Sequence, residues 1–156
     1  MKKLLLSGLI ILVLGYIFFF GGKDDNEYFT NYFNKMVIAG EEKNSDKFMD
    51  NFSLHYKDEN GFNYIIVKNI VKKVFGKYEK MDGMVSDLSS SISKNENDRE
   101  TAVVNMNILA TGSNGSIETV ILGLNETPEN VTVFLEKSML GSWQIIRVEG
   151  VAKAEY

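Results

Sequence analysis

Apolar and polar positions recur with two different periods along the chain, and the change from one to the other divides it. Phe29, Tyr32, Phe33, Met36 and Val37 return at three and four residues, which predicts an amphipathic helix over 26–39, capped by Asn26 and ended by Gly40. A solvated link, 41–44, leads to a short second helix capped by Ser45 and presenting Phe48, Met49 and Phe52 on one side. Ile66, Ile70 and Val74, flanked by Val67 and Val71, stripe a third helix. Asn63 stands at its start, Gly76 at its end, and Lys72 and Lys73 face the C-terminal dipole. Past Met81 the period falls to two. Met84, Leu88 and Ile92 mark the apolar side of one strand, and Ala102, Val104, Met106, Ile108 and Ala110 alternate with Asn105 and Asn107 in the next. Turn residues at 113–116, 125–130 and 140–142 separate three more strands, over 117–124, 131–139 and 143–151. Short connections join antiparallel neighbours. The prediction is α+β, three helices packed on a bent antiparallel sheet of about five strands, with Trp143 in or beside the core.

The first 22 residues follow neither period. Residues 4–20 form an uninterrupted run whose polar members are Ser7 and Tyr16, preceded by Lys2 and Lys3. As a helix the run would be about 25 Å long, at the short end for a membrane span and long for a signal peptide. Phe19 and Phe20 stand where a cleavage site would need small residues. The run is therefore expected to stay attached as an N-terminal anchor, residues 1–22. Lys2 and Lys3 would remain on the cytoplasmic side, with the domain 23–156 single-pass anchored and extracytoplasmic.

Charge narrows the partners. Of 17 bases in the chain two are Lys2 and Lys3, which leaves the rest with 15 bases against 21 acids. An acidic domain gains nothing from counterion release, so nucleic acid is not an expected partner. With no cysteine, thiolate catalysis, Fe–S clusters and cysteine-based zinc sites are excluded, and no cofactor or metal is expected.

The order of elements, the turn Tyr56-Lys57-Asp58-Glu59-Asn60-Gly61 before the third helix, and the ending Gly141-Ser142-Trp143-Gln144-Ile145-Ile146-Arg147-Val148-Glu149 resemble the nuclear transport factor 2-like (NTF2-like, cystatin-like cone) superfamily. The narrower similarity is to small bacterial members that follow an N-terminal membrane segment. The resemblance covers roughly residues 26–151. It implies a cone-shaped pocket between the third helix and the concave sheet, and a homodimer formed through the sheet. The superfamily includes isomerases, dehydratases and hydrolases as well as non-catalytic binding domains, so the fold alone does not choose a function.

The candidates for chemistry are few. His55 is the only histidine and the natural titrating group near neutral pH, although a lone histidine after a short helix is also an ordinary structural residue. Asp87 could face inward as a base, but Ser89, Ser91 and Ser93 around it suit a solvated face. Arg147 is expected on the face shared by Trp143, Ile145 and Glu149, either as a pocket donor paired with Glu149 or as half of a rim ion pair. An arrangement of two aspartates and an arginine fails, since Arg99 falls in a charged loop. Asp58, Glu59 and Asn60 suggest calcium, yet Gly61 is in the wrong place for an EF-hand loop, so they read as a turn. Lys68, Lys72, Lys73, Lys77 and Lys80 make a basic stretch that suits a solvated helix face or anionic lipid head groups.

Because no acid, base and oxyanion donor converge, the expected function is a non-catalytic binding or assembly module that holds a small apolar ligand or an envelope protein. The alternatives are a cofactor-independent enzyme on an apolar substrate, with His55 or Asp87 as base and Arg147 as stabiliser, and a subunit of a secretion or conjugation apparatus. The contents of the cone discriminate them: ionisable groups converging inside it favour the enzyme, and an apolar interior favours binding.

Overall fold

The computed structural model describes residues 25–123 and 127–151. The expected anchor, Leu124 at the end of the third predicted strand, and Asn125 and Glu126 lie outside the described residues. Among the described residues no helix is long and apolar enough to cross a membrane.

Residues 25–41 form α1. Asn26 is inside the helix and does not cap it: its side-chain oxygen accepts from the backbone N–H and hydroxyl of Ser90, at 2.7 and 2.6 Å. At the other end Glu41 accepts from the backbone N–H of Gly83 at 3.4 Å. α1 thus lies alongside the first strand and runs opposite to it. Its end falls later than expected. Gly40 stays helical, and Lys43 takes the left-handed conformation (φ 53°), with Asn44 N–H donating to Ala39 C=O and Lys43 N–H to Gly40 C=O. Asn44, not Ser45, caps α2 (Ser45–Met49) by accepting from the Lys47 N–H. Asn63 caps α3 (Tyr64–Lys77) as expected, while Gly76 sits within its last turn and Tyr78 follows as the C-terminal cap. A glycine can end a helix but does not compel it to end.

The sheet is antiparallel, with β1 (Lys80–Lys94), β2 (Glu100–Asn114), β4 (Glu129–Lys137) and β5 (Trp143–Glu149) in that order. β3 (Ile117–Leu122) pairs with the far half of β2, so β3 and β4 follow one another along the same side of β2. Ala102, Val104 and Met106 are buried and Ile108 and Ala110 line the cavity beneath the helices, while Asn105 is exposed on the opposite face. With Val131, Val133, Leu135, Ile145 and Trp143 these residues meet Phe29, Phe33 and Met36 of α1 in one core.

Extra residues in three strands bend the sheet. β1 has two residues, Asp87 and Leu88, opposite the one between Asn105 and Asn107, and Asp87 adopts φ 51°. The bulge switches the core-facing set from Met81 and Val85 to Leu88, and Ile92, opposite the buried Ala102, shares that face but stays exposed near the end of the strand. Met84 therefore does not share a face with Leu88 and Ile92: it pairs with Leu109 and is 47% exposed. β3 carries an extra residue at Ile121 and β5 another at Ile146. The bulge at Ile146 carries Arg147 off the face of Trp143 and Ile145 onto the outer face, leaving Val148 inward.

Candidate functional site

Between the bent sheet and the three helices lies a cavity of about 650 Å³, open to solvent on one side, within the roughly 300–1,000 Å³ typical of small-molecule sites. Helix stripes explain its walls. Val67, Val71 and Val74 project from α3, Met36 and Val37 from α1, and the inward set of β2 supplies the floor. Phe75, Phe48, Phe52 and Tyr56 stand in a row of ring contacts at 5.7, 5.9 and 5.4 Å between centroids. The side chains with a charge or an amide on this lining are Glu41, Asp58, Asn60 and Asp82.

Tyr56 and Asp58 are brought to the wall by an unusual neighbour of the sheet. After α2 the chain runs along the free side of β5, where Ser53 and Lys57 donate backbone N–H groups to Ile145 and Ile146, and Ile145 donates to Asn51. Asp58 then closes a tight turn: one carboxylate oxygen accepts from the backbone N–H groups of Asn60 and Phe62 at 2.9 and 2.8 Å. Its other oxygen accepts from the Tyr56 hydroxyl at 3.3 Å. Burial pushes the Tyr56 phenol far above its usual range, and the neighbouring Asp58 carboxylate pushes it the same way, against a lowering from a hydrogen bond to the Val148 backbone. Tyr32, whose hydroxyl donates toward the carbonyls of Asn51 and Trp143, is raised likewise, first by burial and then by Tyr28.

These shifts have a definite sign. Both phenols ionise at higher pH in the folded chain than in the unfolded one, so their contribution is intact below the ordinary tyrosine pKa of about 10 and is lost as pH rises above it. Urea midpoints measured from neutral to strongly alkaline pH should fall above that point. The fall should be shallower in a Tyr32→Phe/Tyr56→Phe variant, and an equal fall there would assign the effect to other groups.

His55, Asp87, Arg147 and Glu149 do not line the cavity. His55 and Arg147 meet instead in a shallow depression of about 470 Å³ on the outside of the sheet, together with Lys57 and Glu136. There the Arg147 guanidinium lies 3.9 Å from the centre of the Phe134 ring and pairs with Glu149 at 3.1 Å. Asp87 is remote from both, exposed at its bulge, and accepts from the Asn107 amide at 2.8 Å. The Asn107 side chain in turn accepts from Asn130, and Asn105 accepts from Thr132, so amides and hydroxyls join across the outer face. The cavity residues that sequence reasoning passed over are Tyr56 and Asp58, which it treated as a turn.

The sequence matches no protein-family model and none of the curated proteins. Solved structures do match. Bd1075 of Bdellovibrio bacteriovorus aligns at 16% identity and TM-score 0.62, over 82% of this chain and 41% of its own. The helical cell shape determining protein Pgp2 of Campylobacter jejuni aligns at 9% identity and TM-score 0.57, over 75% of this chain and 38% of its own. A candidate dehydratase of the NTF2-like family from Streptomyces avermitilis aligns at 11% identity and TM-score 0.60, over 81% and 94%. The chain thus spans about two fifths of the first of these structures. At such identities the likeness concerns the fold, an NTF2-like α+β cone.

Proposed function

We propose that this NTF2-like cone is a binding module, held at the outer side of a membrane by residues 4–20, whose cavity takes up a small apolar ligand without turning it over. The carrying observation is the cavity itself: about 650 Å³ walled by aliphatic and aromatic side chains, where an apolar guest gains roughly 25 cal/mol for each Å² of apolar surface withdrawn from water. Of its carboxylates, Asp58 holds the turn with one oxygen and receives the Tyr56 hydroxyl with the other, Glu41 accepts from the Gly83 N–H, and Asp82 is exposed to water. The network of polar groups on the outer face, amide to amide and hydroxyl to amide, favours the interior over the sheet as the place of recognition. In Pgp2 the matched part is 38% of the chain, which suits a cone that serves as one part of a larger arrangement.

The second reading has one observation in its favour. The Tyr56–Asp58 hydrogen bond at the cavity wall is a pair through which a cofactor-independent enzyme could pass a proton to or from an apolar substrate. His55 and Asp87 are too far outside the lining to act there as bases.

The test uses the full chain in lipid nanodiscs, first by native mass spectrometry for a co-purified small molecule and then with the uncharged dye N-phenyl-1-naphthylamine. Val71→Trp, which fills the space beneath α3, should lower dye affinity by at least about tenfold, equivalent to ~1.4 kcal/mol, with the circular dichroism unchanged. Undiminished binding in that variant would place the dye elsewhere. Recovery of a ligand that the wild-type chain converts, and that Tyr56→Phe or Asp58→Asn leaves intact, would replace the binding reading with the enzymatic one.

A further inference from the structure

The turn between β4 and β5 presents two large apolar side chains to water. Met139 is 95% exposed and Leu140 97%. Such a pair on a floppy loop would signify little, but this turn is tightly built. Ser138 N–H donates to Ser142 C=O at 2.7 Å, Gly141 N–H donates to Ser138 C=O at 2.9 Å, and the two serine hydroxyls lie 2.8 Å apart. Gly141 takes φ 85°, a conformation that suits glycine. The two side chains are therefore held out by an ordered hairpin, and burying them carries little further backbone entropy.

The position of the hairpin says what covers it. α1 lies beside β1 with Asn26 at Ser90 and Glu41 at Gly83, so its first residues point toward the end of the sheet where β1 finishes at Lys94. β4 finishes at that same end, because Glu136 pairs with Thr101, which pairs with Ser93. Phe29 confirms the closeness, its ring 5.5 Å from that of Trp143 at the base of the hairpin. The apolar run ends at Phe20, five residues before Asp25, a gap of at most about 18 Å of extended chain. The end of the domain carrying Met139 and Leu140 is thus the end at which the chain arrives from residues 4–20.

Resting on the reading that residues 4–20 lie in a bilayer, we infer that the β4–β5 turn is a second membrane contact, with Met139 and Leu140 inserted among the lipid chains of the leaflet the domain faces. The bases at this end are paired, while Asp25, Glu27 and Glu96 add acid there. Arg99 pairs with Glu136, Lys137 with Glu100 and Lys94 with Asp98. The contact is consequently apolar in character and does not require anionic lipid. Burying one such side chain favours the inserted state by on the order of tenfold or more. Two points of attachment, the run and the turn, fix the tilt of the domain on the surface.

The chain has no cysteine, so one introduced thiol reports one place. The full chain is reconstituted in phosphatidylcholine vesicles, with and without phosphatidylglycerol, and carries an environment-sensitive nitrobenzoxadiazole label after Met139→Cys. The matched control is Ile117→Cys, also an exposed apolar residue but at the β2–β3 turn at the other end of the sheet. A third position, Leu12→Cys, reports the run. The expected result is blue-shifted emission, quenched by nitroxide-labelled lipid, at positions 139 and 12 but not at 117, in both lipid mixtures. Adding Leu140→Asp should return the label at 139 toward aqueous emission by about tenfold in the inserted fraction. Aqueous emission at 139 with lipid emission at 12 would overturn the second contact while leaving the anchor in place. Aqueous emission at 12 would overturn the anchor and the contact with it. A shift at 139 that follows protein concentration and ignores the lipid quencher would show a protein in place of the bilayer.

Discussion

Replacing Phe29 by alanine is expected to lower the unfolding free energy by about 3–5 kcal/mol, the range for deleting a buried aromatic ring. Phe29 is fully buried, at 0% exposure, and its ring meets Trp143 at 5.5 Å and Tyr32 at 6.3 Å, edge to face. Its loss removes the contact that seats the first turns of α1 on β5, and the neighbours are too firmly packed in the core to close the space. Tyr28, one residue earlier and 50% exposed, supplies the comparison: Tyr28→Ala should cost about 1 kcal/mol or less. Urea unfolding of both variants can be followed through Trp143, the only tryptophan. Equal losses would mean that α1 does not present Phe29 to the core.

The second large effect comes from adding one carbon. A methyl group at Gly112 would stand 2.4 Å from Cγ of Tyr78, closer than any non-bonded pair tolerates. Tyr78 cannot easily yield, since its ring is buried, the Lys77 ammonium lies 5.3 Å from the ring centre and Lys43 donates to its carbonyl at 3.1 Å. Gly112→Ala should therefore destabilise by about 1–3 kcal/mol through overpacking. Combining it with Tyr78→Ala gives a sharper measurement. Once the ring is gone the added methyl has room, so the double variant should lose no more stability than Tyr78→Ala alone, a coupling of the opposite sign to the clash. Simple additivity would show that Gly112 and Tyr78 do not meet.

The elements were legible where a local pattern sufficed. Ile66, Ile70 and Val74 with Val67 and Val71 marked α3, and the alternation from Ala102 to Ala110 gave β2 with its correct inner face. What misled was a shift of one residue. Val85 and Leu88 both turn inward, which is odd-to-even and signals a bulge, yet Met84, Leu88 and Ile92 offer an equally regular spacing that ignores it. At Ile146 the extra residue carries no chemical mark at all, and it moved Arg147 to the other side of the sheet. The cavity pair was hidden for a different reason. Tyr56 and Asp58 reach the wall because residues 51–57 hydrogen-bond to β5, some ninety positions later in the chain, and such a long-range pairing leaves no trace in local periodicity. Phe48, Phe52 and Tyr56 at intervals of four were the available hint.

The two side chains that align α1 with β1 also settle how this sheet ends. β1 is an outermost strand, and the backbone N–H groups of Gly83 and Ser90 that would greet an incoming strand are taken by Glu41 and Asn26. Between them the left-handed Asp87 breaks the line of the strand. On the opposite margin β5 is stitched to residues 51–57. Those two borders are guarded against templated growth, the route by which bare strands seed continuous sheets and fibrils, whereas β3 is paired with β2 alone. Copies of this domain crowded together would accordingly be guarded against zipping along β1 or β5, and a shared backbone ladder would have to start at β3.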